Sequence, residues 1–316
     1  MDTDSPKTPS APVALDPPAA RSADLILFTA VSLWALNYAV IKFGVTQISP
    51  LAFPVLRFGL GGVVLAAVVY WREGTLRITR ADVPVVVLAG VLGIGLNQLC
   101  FVYSLTDTGA SDVALLGASG PLITAFLATL VGIEHLGRRH WVGAVLGLAG
   151  VVLIVGGAAG AAFGRSPLQG DALALGATLF ASASVLPVLA LLRRYSAAHI
   201  LTLEMLVGSA VLVPLALPAL VAQDYGAVTL EGWGALAYAV VLTGVVTNLL
   251  YFTAIRRVGP SRAAMFGYLQ SFLGVAFAIV LLGEQVTPIQ LAGGLVVIGS
   301  VVMSRSRPVR PRLMTR

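Results

Sequence analysis

TGASDVALLGASGPLITAFLATLVGIEHLGRRHWVG, residues 108–143, decides the fold, because it recurs as VGPSRAAMFGYLQSFLGVAFAIVLLGEQVTPIQLAG, residues 258–293. The two copies align without a gap at an offset of 150 residues. The identical positions are Gly109/Gly259, Ser111/Ser261, Ala114/Ala264, Gly117/Gly267, Ala128/Ala278, Glu134/Glu284 and Gly143/Gly293. The charges before the two copies are reversed, since Asp107 corresponds to Arg257. Similar halves with opposite charges at equivalent ends indicate an inverted repeat in a membrane.

The composition excludes a water-soluble fold. The 316 residues are 58% hydrophobic and 11% charged, and the mean hydropathy is +0.93, whereas soluble domains carry roughly 25% charged residues. Most of the chain must therefore face lipid or other apolar segments. The net charge of +6 does not indicate nucleic-acid binding, because the cations stand in ones to threes between apolar runs.

Apolar runs of about 20 residues, the length that crosses a bilayer, predict ten spans. These are roughly 24–44, 51–71, 84–103, 110–131, 139–157, 170–192, 198–220, 234–255, 261–282 and 288–304. With the N-terminus in the cytoplasm, 17 of the 20 Lys and Arg residues fall in cytoplasmic segments. Only Lys42 and Arg165 fall outside, and Arg57 lies within a span. This positive-inside bias supports the number and direction of the spans.

We therefore expect an all-α polytopic membrane protein with ten transmembrane helices arranged as an inverted 5+5 repeat. LRFGLGGVVL at 56–65 also matches LEMLVGSAVL at 203–212, at an offset of 147 residues. The expected organisation is a disordered cytoplasmic tail at 1–22, five-helix repeats at 23–158 and 168–304, and a basic cytoplasmic tail at 305–316. The N-terminus does not resemble a signal peptide, because it lacks an apolar core.

Two stretches of this chain resemble the drug/metabolite transporter superfamily, in its EamA branch. LWALNYAVIKFGVTQISPLAFPVLRF, residues 33–58, is similar to the opening pattern of that family, and residues 258–302 are similar to its closing pattern. The matching turn of the first half, GIEHLGRR, departs from the family because Ile133 replaces the usual Gly. The resemblance implies ten helices, both termini in the cytoplasm, a central cavity and the export of metabolites, without identifying one substrate.

A transporter needs polar side chains at mid-membrane depth, where an unpaired polar atom is costly. The candidates for substrate binding are amides and aromatic rings: Trp34, Asn37, Asn97, Gln98, Tyr103, Asn248, Tyr268 and Gln270. Such a lining suits a neutral or zwitterionic solute. The alternative for the amides is structural hydrogen bonding between helices, and for Tyr103 and Tyr268 it is anchoring at the membrane interface.

The notable charged residues within the predicted spans are Arg57 and Glu204, which align across the repeat. Arg57 corresponds to Glu204 at the offset of 147, but at the opposite depth, so we do not expect the two to pair. Gating or coupling is their candidate role, with hydrogen bonding near the headgroups as the alternative. We expect Glu134 and Glu284, at helix–helix turns, to cap the fifth and tenth spans. Pro121 and Pro187 are expected to kink their helices.

Catalysis and cofactor binding find no support in the sequence. GASG at 117–120 resembles the nucleophile motif of intramembrane serine proteases, but the three histidines lie too far from Ser119 to act as its base. No HExxH motif or P-loop occurs. We expect no catalytic residue, no metal and no cofactor. Cys100 is the only cysteine, which excludes an intrachain disulfide.

The sequence thus predicts a secondary transporter that exports small metabolites across the cytoplasmic (inner) membrane by alternating access. Amino acids or aromatic compounds are the leading substrate class. The alternative is a channel or a structural membrane protein without active transport. The expected partners are a small-molecule substrate and the lipid bilayer, without nucleic acid, and a homodimer is left open.

Overall fold

The computed structural model describes residues 17–132, 138–158, 167–251 and 260–304, and the regular structure in these ranges is helical. The first repeat contains α1 (Pro17–Gln47), α2 (Ala52–Glu73), α3 (Arg80–Asp107), α4 (Ala110–Gly117), α5 (Gly120–Leu130) and α6 (Arg138–Ala158). The second contains α7 (Pro167–Leu191), α8 (Ala197–Ala222), α9 (Leu230–Tyr251), α10 (Pro260–Leu282) and α11 (Pro288–Ser304).

Six of these helices are long and apolar enough to cross a membrane: α1, α2, α3, α7, α8 and α9. Shorter apolar stretches occur in α6, α10 and α11. On α6, Val145, Leu148 and Val152 are 68%, 65% and 62% exposed. Their spacing of three and four residues places them on one helix face. Such large exposed apolar side chains fit a surface that faces lipid rather than water. The protein is therefore a membrane protein.

Helices of one repeat pack mainly on helices of the other. α2 packs on α8 and α6 packs on α11, so each of these helices meets its own counterpart in the repeat. α1 packs along α10, and α7 packs on α4 and α5. Meeting of equivalent elements is what a pseudo-twofold axis between the repeats produces. Close contact between α6 and α11 requires small residues: a Cβ on Gly150 would lie 2.8 Å from the carbonyl oxygen of Gly293.

Several observed boundaries differ from the expected ones. α1 begins at Pro17, inside the range 1–22 that we expected to be a tail. The fourth span is divided between α4 and α5, with Ala118 and Ser119 outside the helices. Pro121 explains the division, because it has no N–H to donate to the carbonyl group four residues before it. Pro187, in contrast, lies inside the continuous helix α7.

The turns after α5 and α10 both use a glycine in the left-handed region. Gly283 has φ 67° and Gly132 has φ 75°, a conformation that glycine adopts without a steric cost. The repeat aligns Gly283 with Ile133, so the left-handed residue of the first turn comes one position earlier in the alignment. Glu134 lies outside the described residues.

Candidate functional site

A buried chain of hydrogen bonds joins the two repeats around Arg57 of α2. The guanidinium donates to the Ala239 carbonyl oxygen at 3.3 Å, to Thr243 Oγ1 at 3.1 Å and to Gln98 Oε1 at 3.4 Å. Its carbon Cζ lies 4.6 Å from the ring centroid of Phe58, a favourable cation–π position. Arg57 is only 6% exposed, so it does not extend to the membrane surface and its charge is held inside the protein.

The chain of hydrogen bonds continues on both sides of Arg57. The hydroxyl group of Thr243 lies 3.0 Å from Asn37 Oδ1 on α1. On the other side, the Gln98 side chain donates to Asn97 Oδ1 at 2.6 Å, and Asn97 donates to the Ala177 carbonyl oxygen of α7 at 2.8 Å. Three predicted substrate-binding residues, Asn37, Asn97 and Gln98, are therefore connected through Arg57 and Thr243. We call the series Asn37–Thr243–Arg57–Gln98–Asn97 the polar chain.

Two π-helical segments adjoin the polar chain at equivalent positions of the repeats. One spans Val91–Leu96 in α3, and the other spans Tyr238–Val246 in α9. A π turn shifts backbone hydrogen bonding from four to five residues and frees carbonyl groups, and such turns are frequent at functional sites. In α9 these carbonyls are occupied, because Asn248 donates to the Thr243 and Gly244 carbonyls and Thr247 donates to that of Leu242.

The repeat generates a second site that resembles the Arg57 site but carries the opposite charge. The offset of 147 pairs Asn37 with Ser184 and Arg57 with Glu204, while the offset of 150 pairs Thr243 with Gly93. The structure brings the second set together as well. A Cβ added to Gly93 would lie 2.9 Å from Glu204 Oε1 and 3.0 Å from Ser184 Oγ. The first site thus contains a cation and a threonine, and the second contains a carboxylate and a glycine.

Neither of these charged groups has an ion-pair partner among the described residues, and Glu204 has no hydrogen bond there. Gly62 of α2 packs against Met205 of α8, since its Cβ would lie 3.2 Å from Met205 Cβ. Arg57 is five residues from Gly62, so it lies about 8 Å along the axis of α2 from the level of Met205, the residue that follows Glu204.

The remaining predicted residues occupy different surroundings. The ring of Trp34 lies 5.0 Å from that of Tyr251, in a tilted arrangement. Gln270 donates to the Tyr38 hydroxyl oxygen at 3.4 Å. Tyr103 lies near the end of α3, outside the polar chain. Asn248 holds the π segment of α9, and its amide donors serve two backbone carbonyls. The side chain of Tyr268 lies outside the part that the structure describes.

Three residues around the site were missed from the sequence: Thr243, Tyr38 and Ser184. Thr243 lies in an otherwise apolar stretch of α9, four residues before Thr247. Its hydroxyl group in the middle of a predicted span was the signal that could have identified it. Tyr38 is adjacent to Asn37, and it is packed against Phe101 with ring centroids 5.8 Å apart. Ser184 was detectable through the repeat, because the alignment that pairs Arg57 with Glu204 also pairs Asn37 with Ser184.

A second polar cluster links the repeats at the end of the helices that we predict to face outward. Glu284, in the turn between α10 and α11, accepts hydrogen bonds from Lys42 Nζ at 2.9 Å and from the backbone N–H groups of Ala110 and Ser111 at 2.8 and 2.9 Å. Ser111 Oγ also donates to it, at 2.6 Å. We call this contact the outer latch. Burial alone would raise the pKa of Glu284, but Lys42 and these donors hold the pKa below its ordinary value.

The expectation that Glu284 caps the tenth span is wrong. The N-terminus of α11 is capped instead by Thr287 and Gln290, whose side chains accept from each other's backbone N–H groups at 3.2 and 2.7 Å. This is the reciprocal pattern of a capping box. The carboxylate of Glu284 is stabilised at a helix N-terminus as expected, but the helix is α4 of the other repeat.

Next to the outer latch, two further carboxylates are buried between the repeats. The Thr108 hydroxyl lies 2.9 Å from Asp171 Oδ1 and 3.2 Å from Asp112 Oδ2. The Gln290 side chain donates to Asp112 Oδ1. Because Asp171 and Gln290 belong to the second repeat, these bonds add to the cross-repeat contacts at this end.

The opposite end carries a separate set of cross-repeat contacts. Arg194 donates to both carboxylate oxygens of Asp82, at 2.8 and 3.1 Å, and the Tyr195 hydroxyl donates to Asp82 at 2.8 Å. Ser196 donates to Glu73. The Arg194 side chain is 63% exposed, so solvent weakens its ion pair.

An apolar groove of about 410 Å³ lies between α1, α9 and α10. Ala39, Phe43, Gly234 and Leu281 are among its lining residues, and Glu231 borders it. Tyr238 connects the groove to the interior, because its hydroxyl donates to the Leu33 carbonyl oxygen at 2.7 Å. The groove contains none of the polar chain, so we do not assign the solute to it.

The sequence of this chain is similar to those of proteins named as transporters, exporters or efflux pumps. An uncharacterized transporter of Archaeoglobus fulgidus is 25% identical over 90% of this chain and 97% of its own. The protein named "Probable amino-acid metabolite efflux pump" of Salmonella typhimurium is 25% identical over 90% and 95%. The aromatic amino acid exporter YddG of Ancylobacter novellus is 31% identical, over 46% of this chain and 50% of its own.

A solved crystal structure shares the fold, with a TM-score of 0.62 at 20% identity over 90% of this chain and 96% of that chain. The model of the EamA-like transporter family matches this chain twice, at residues 21–156 and 168–306. These two matches correspond to the repeat first detected at an offset of 150 residues. The chain belongs to the EamA-like transporter family.

Proposed function

We propose that this transporter exports small metabolites by alternating access, driven by a gradient, with amino acids or aromatic compounds as the leading class. The polar chain is the observation that carries the proposal. It places amide groups and one cation inside an apolar helix bundle, and it connects α1, α2 and α3 with α9 and α7. A cluster that joins both repeats changes its geometry when one repeat moves against the other. The names of two relatives support the substrate class.

We further propose ten membrane-crossing helices in an inverted 5+5 arrangement, with α4 and α5 forming one broken crossing. The positive-inside bias supports cytoplasmic termini and an inner-membrane location. The packing of α2 on α8 and of α6 on α11 supports the symmetry. A homodimer is compatible with this arrangement but is not required by it.

Polar contacts close the two ends of the bundle to different extents, which supports alternation between an outer and an inner opening. The outer latch gives a buried carboxylate four donors from the other repeat. The inner contacts depend on an exposed arginine and on surface hydroxyl groups. We therefore propose that the outer end is closed by the outer latch in this conformation, and that transport requires this latch to open.

Counterflow in liposomes tests the proposal. Purified protein is reconstituted into vesicles loaded with one unlabelled solute, and uptake of the same labelled solute is compared with uptake by empty vesicles. A panel of amino acids and small aromatic acids covers the leading class. We expect at least one solute to accumulate transiently above its outside concentration. Uptake that only equilibrates would support a channel, and no uptake above that of empty vesicles would contradict transport of this class.

A further inference from the structure

Two buried aspartates from different repeats share one hydroxyl group next to the outer latch. We propose that Asp171, Thr108 and Asp112 form a proton-binding site, and that the bound proton holds the outer end of the bundle closed. This inference rests on the proposed function and names the proton as the ion whose gradient drives export. A proton needs no cavity, because it is held within a hydrogen bond between side chains that are already in contact.

The hydrogen bonds of this group fit one proton more than the ionised side chains carry. Thr108 Oγ1 lies 2.9 Å from Asp171 Oδ1 and 3.2 Å from Asp112 Oδ2. A hydroxyl group has one hydrogen to donate, and an ionised carboxylate can only accept. Each of the two contacts therefore has a hydrogen of its own only if one aspartate is protonated and donates to Thr108 Oγ1.

The unequal partners of the two aspartates place this proton on Asp171. Asp112 accepts from the Gln290 side chain at Oδ1 and from Thr108 at Oδ2, so both of its oxygens have a donor. Asp171 is 1% exposed, and its Oδ2 has no hydrogen-bond partner in the described part of the chain. A buried carboxylate with too few donors is costly when it is ionised, and much less so when it is neutral. Asp171 then donates to Thr108, which donates to Asp112.

The charges around the pair also favour a bound proton. Asp112 Oδ2 and Glu284 Oε2 lie 3.4 and 3.0 Å from the point that a Cβ on Gly109 would occupy, so these two carboxylates are neighbours. The cation beside them is Lys42 of α1, which is bonded to Glu284 and to the carbonyl oxygen of Thr108. Carboxylates that share one site favour protonation of one of them.

The other helices that pack against α4 and α7 add one more charged group at this end. Asp107 ends α3, and a Cβ on Gly170 of α7 would lie 2.8 Å from its carbonyl carbon. The described parts of α5, α6, α10 and α11 have no charged residue at this end. Arg165 lies outside the described residues. The surroundings thus contain more carboxylates than cations.

The proton links this site to the closure of the outer end. Asp112 belongs to α4 of the first repeat, and Asp171 belongs to α7 of the second. Without the proton, two anions face each other across the repeats and repel, whereas the protonated pair is joined through Thr108. A site that loses its proton while the outer end is open must take one up from outside before that end closes. Acid outside therefore favours closure after solute release, which is how an inward proton gradient would drive export.

Labelling of a buried cysteine measures this closure without any solute. Val113 of α4 is 3% exposed and uncharged, so Val113→Cys, with Cys100 replaced, reports opening without altering the acidic groups. A membrane-impermeant thiol reagent is added to right-side-out vesicles between about pH 8 and about pH 5. Asp171→Asn in the same background carries the same thiol, so the ratio of the two labelling rates removes the ionisation of the thiol itself.

We expect Asp171→Asn to imitate the protonated site, because an asparagine amide donates to Thr108 at every pH. At alkaline pH the protein with Asp171 should be labelled at least about tenfold faster than Asp171→Asn, and the two rates should converge in acid. Asp112→Asn should still be protected by acid, but only at about tenfold higher proton concentration, because the neighbouring anion is removed. Thermal unfolding of each variant establishes that it is folded.

Asp224→Asn is the matched control. Asp224 lies exposed in the loop between α8 and α9, where its side chain accepts from the backbone N–H groups of Gly226 and Ala227. This variant should be labelled like the protein with an unchanged acidic site at every pH. A rate ratio between Asp171 and Asp171→Asn proteins that does not change with pH would overturn the inference. So would fast labelling of folded Asp171→Asn at every pH, because Asp171 would then act as a permanent anion.

Transport by the unmodified protein separates this inference from the proposed function. In everted vesicles the lumen corresponds to the outside, so an acidic lumen should drive accumulation of any solute that shows counterflow. Counterflow without an effect of the acidic lumen would overturn the inference and leave the proposed function standing. If labelling depends on pH through Asp171 but no solute is exchanged, the proton site stands and the proposed function fails.

Discussion

The carboxylate of Glu284 lies 2.9 Å from the ammonium group of Lys42, although the two residues are 242 positions apart in the sequence. Lys42 belongs to the first repeat and Glu284 to the second. The same carboxylate also binds the N-terminus of α4, so this contact joins the repeats by an ion pair and a helix cap at one end of the bundle.

Glu284→Gln should weaken the closure of this end. Removing the carboxylate from this partly buried ion pair leaves Lys42, whose side chain is 23% exposed, without its counter-ion, and we expect a cost of about 1–3 kcal/mol. We expect a lower midpoint of thermal unfolding and faster labelling of a cysteine at position 107 by a membrane-impermeant reagent, in a background with Cys100 replaced. Glu231→Gln is the control, because Glu231 is exposed and near the same end. Equal labelling rates in the two variants would contradict a closing role for Glu284.

The stability contributed by the outer latch should depend on pH in one direction. The pKa of folded Glu284 lies below its ordinary value of 4.5, so its ionised form stabilises the fold. This contribution to the free energy of unfolding is fully present above pH 4.5, and it is lost as the pH falls through the lowered pKa of Glu284. The stability difference between the unmodified protein and Glu284→Gln should therefore be constant above about pH 5 and shrink in acid. Unfolding midpoints measured from pH 7 to pH 3 check this, and a difference that grows in acid would contradict it.

Thr243→Val should disconnect the polar chain between Asn37 and Arg57. Valine keeps the shape of threonine but removes the hydroxyl that accepts from Arg57, so we expect a loss of about 1–2 kcal/mol in stability and a reduced exchange rate. Thr247→Val is the matched control, because its hydroxyl bonds only the Leu242 carbonyl. Vesicle exchange should fall in the first variant and be retained in the second. Equal effects would mean that the hydroxyl groups serve only the π segment.

The inverted arrangement predicts opposite accessibility for equivalent positions. Cysteines introduced at Asp107 and Arg257, with Cys100 replaced, should react with an impermeant reagent from opposite sides of the membrane. Position 107 should be labelled in intact cells and position 257 only in inside-out vesicles. Labelling of both positions from one side would rule out the inverted repeat.

The helices were largely predictable from the sequence, because a bilayer requires long apolar runs and the repeat supplies each run twice. Each predicted span overlaps a helix of the structure. The break between α4 and α5 had a local signal in Pro121. The composition of the π segments in α3 and α9 gave no such signal, since Val91–Leu96 consists of ordinary apolar residues and glycine.

Single polar residues were easier to predict than their partners. Asn37, Asn97, Gln98 and Arg57 stood out because polar groups are rare in these spans. Their connection required Thr243, which comes from the other repeat and is placed by helix packing rather than by sequence spacing. Glu284 shows the same limit: its capping chemistry was predictable, but the helix that it caps depends on how the repeats meet.

The most direct test of the central claim is counterflow of labelled L-phenylalanine and the wider solute panel. The unmodified protein and Arg57→Gln are measured in parallel, in separate vesicles of the same lipid composition. The account predicts transient accumulation above the outside concentration for the unmodified protein, and a clear loss of that accumulation for folded Arg57→Gln. Uptake by the unmodified protein that never exceeds that of empty vesicles, for every solute of the panel, would contradict it.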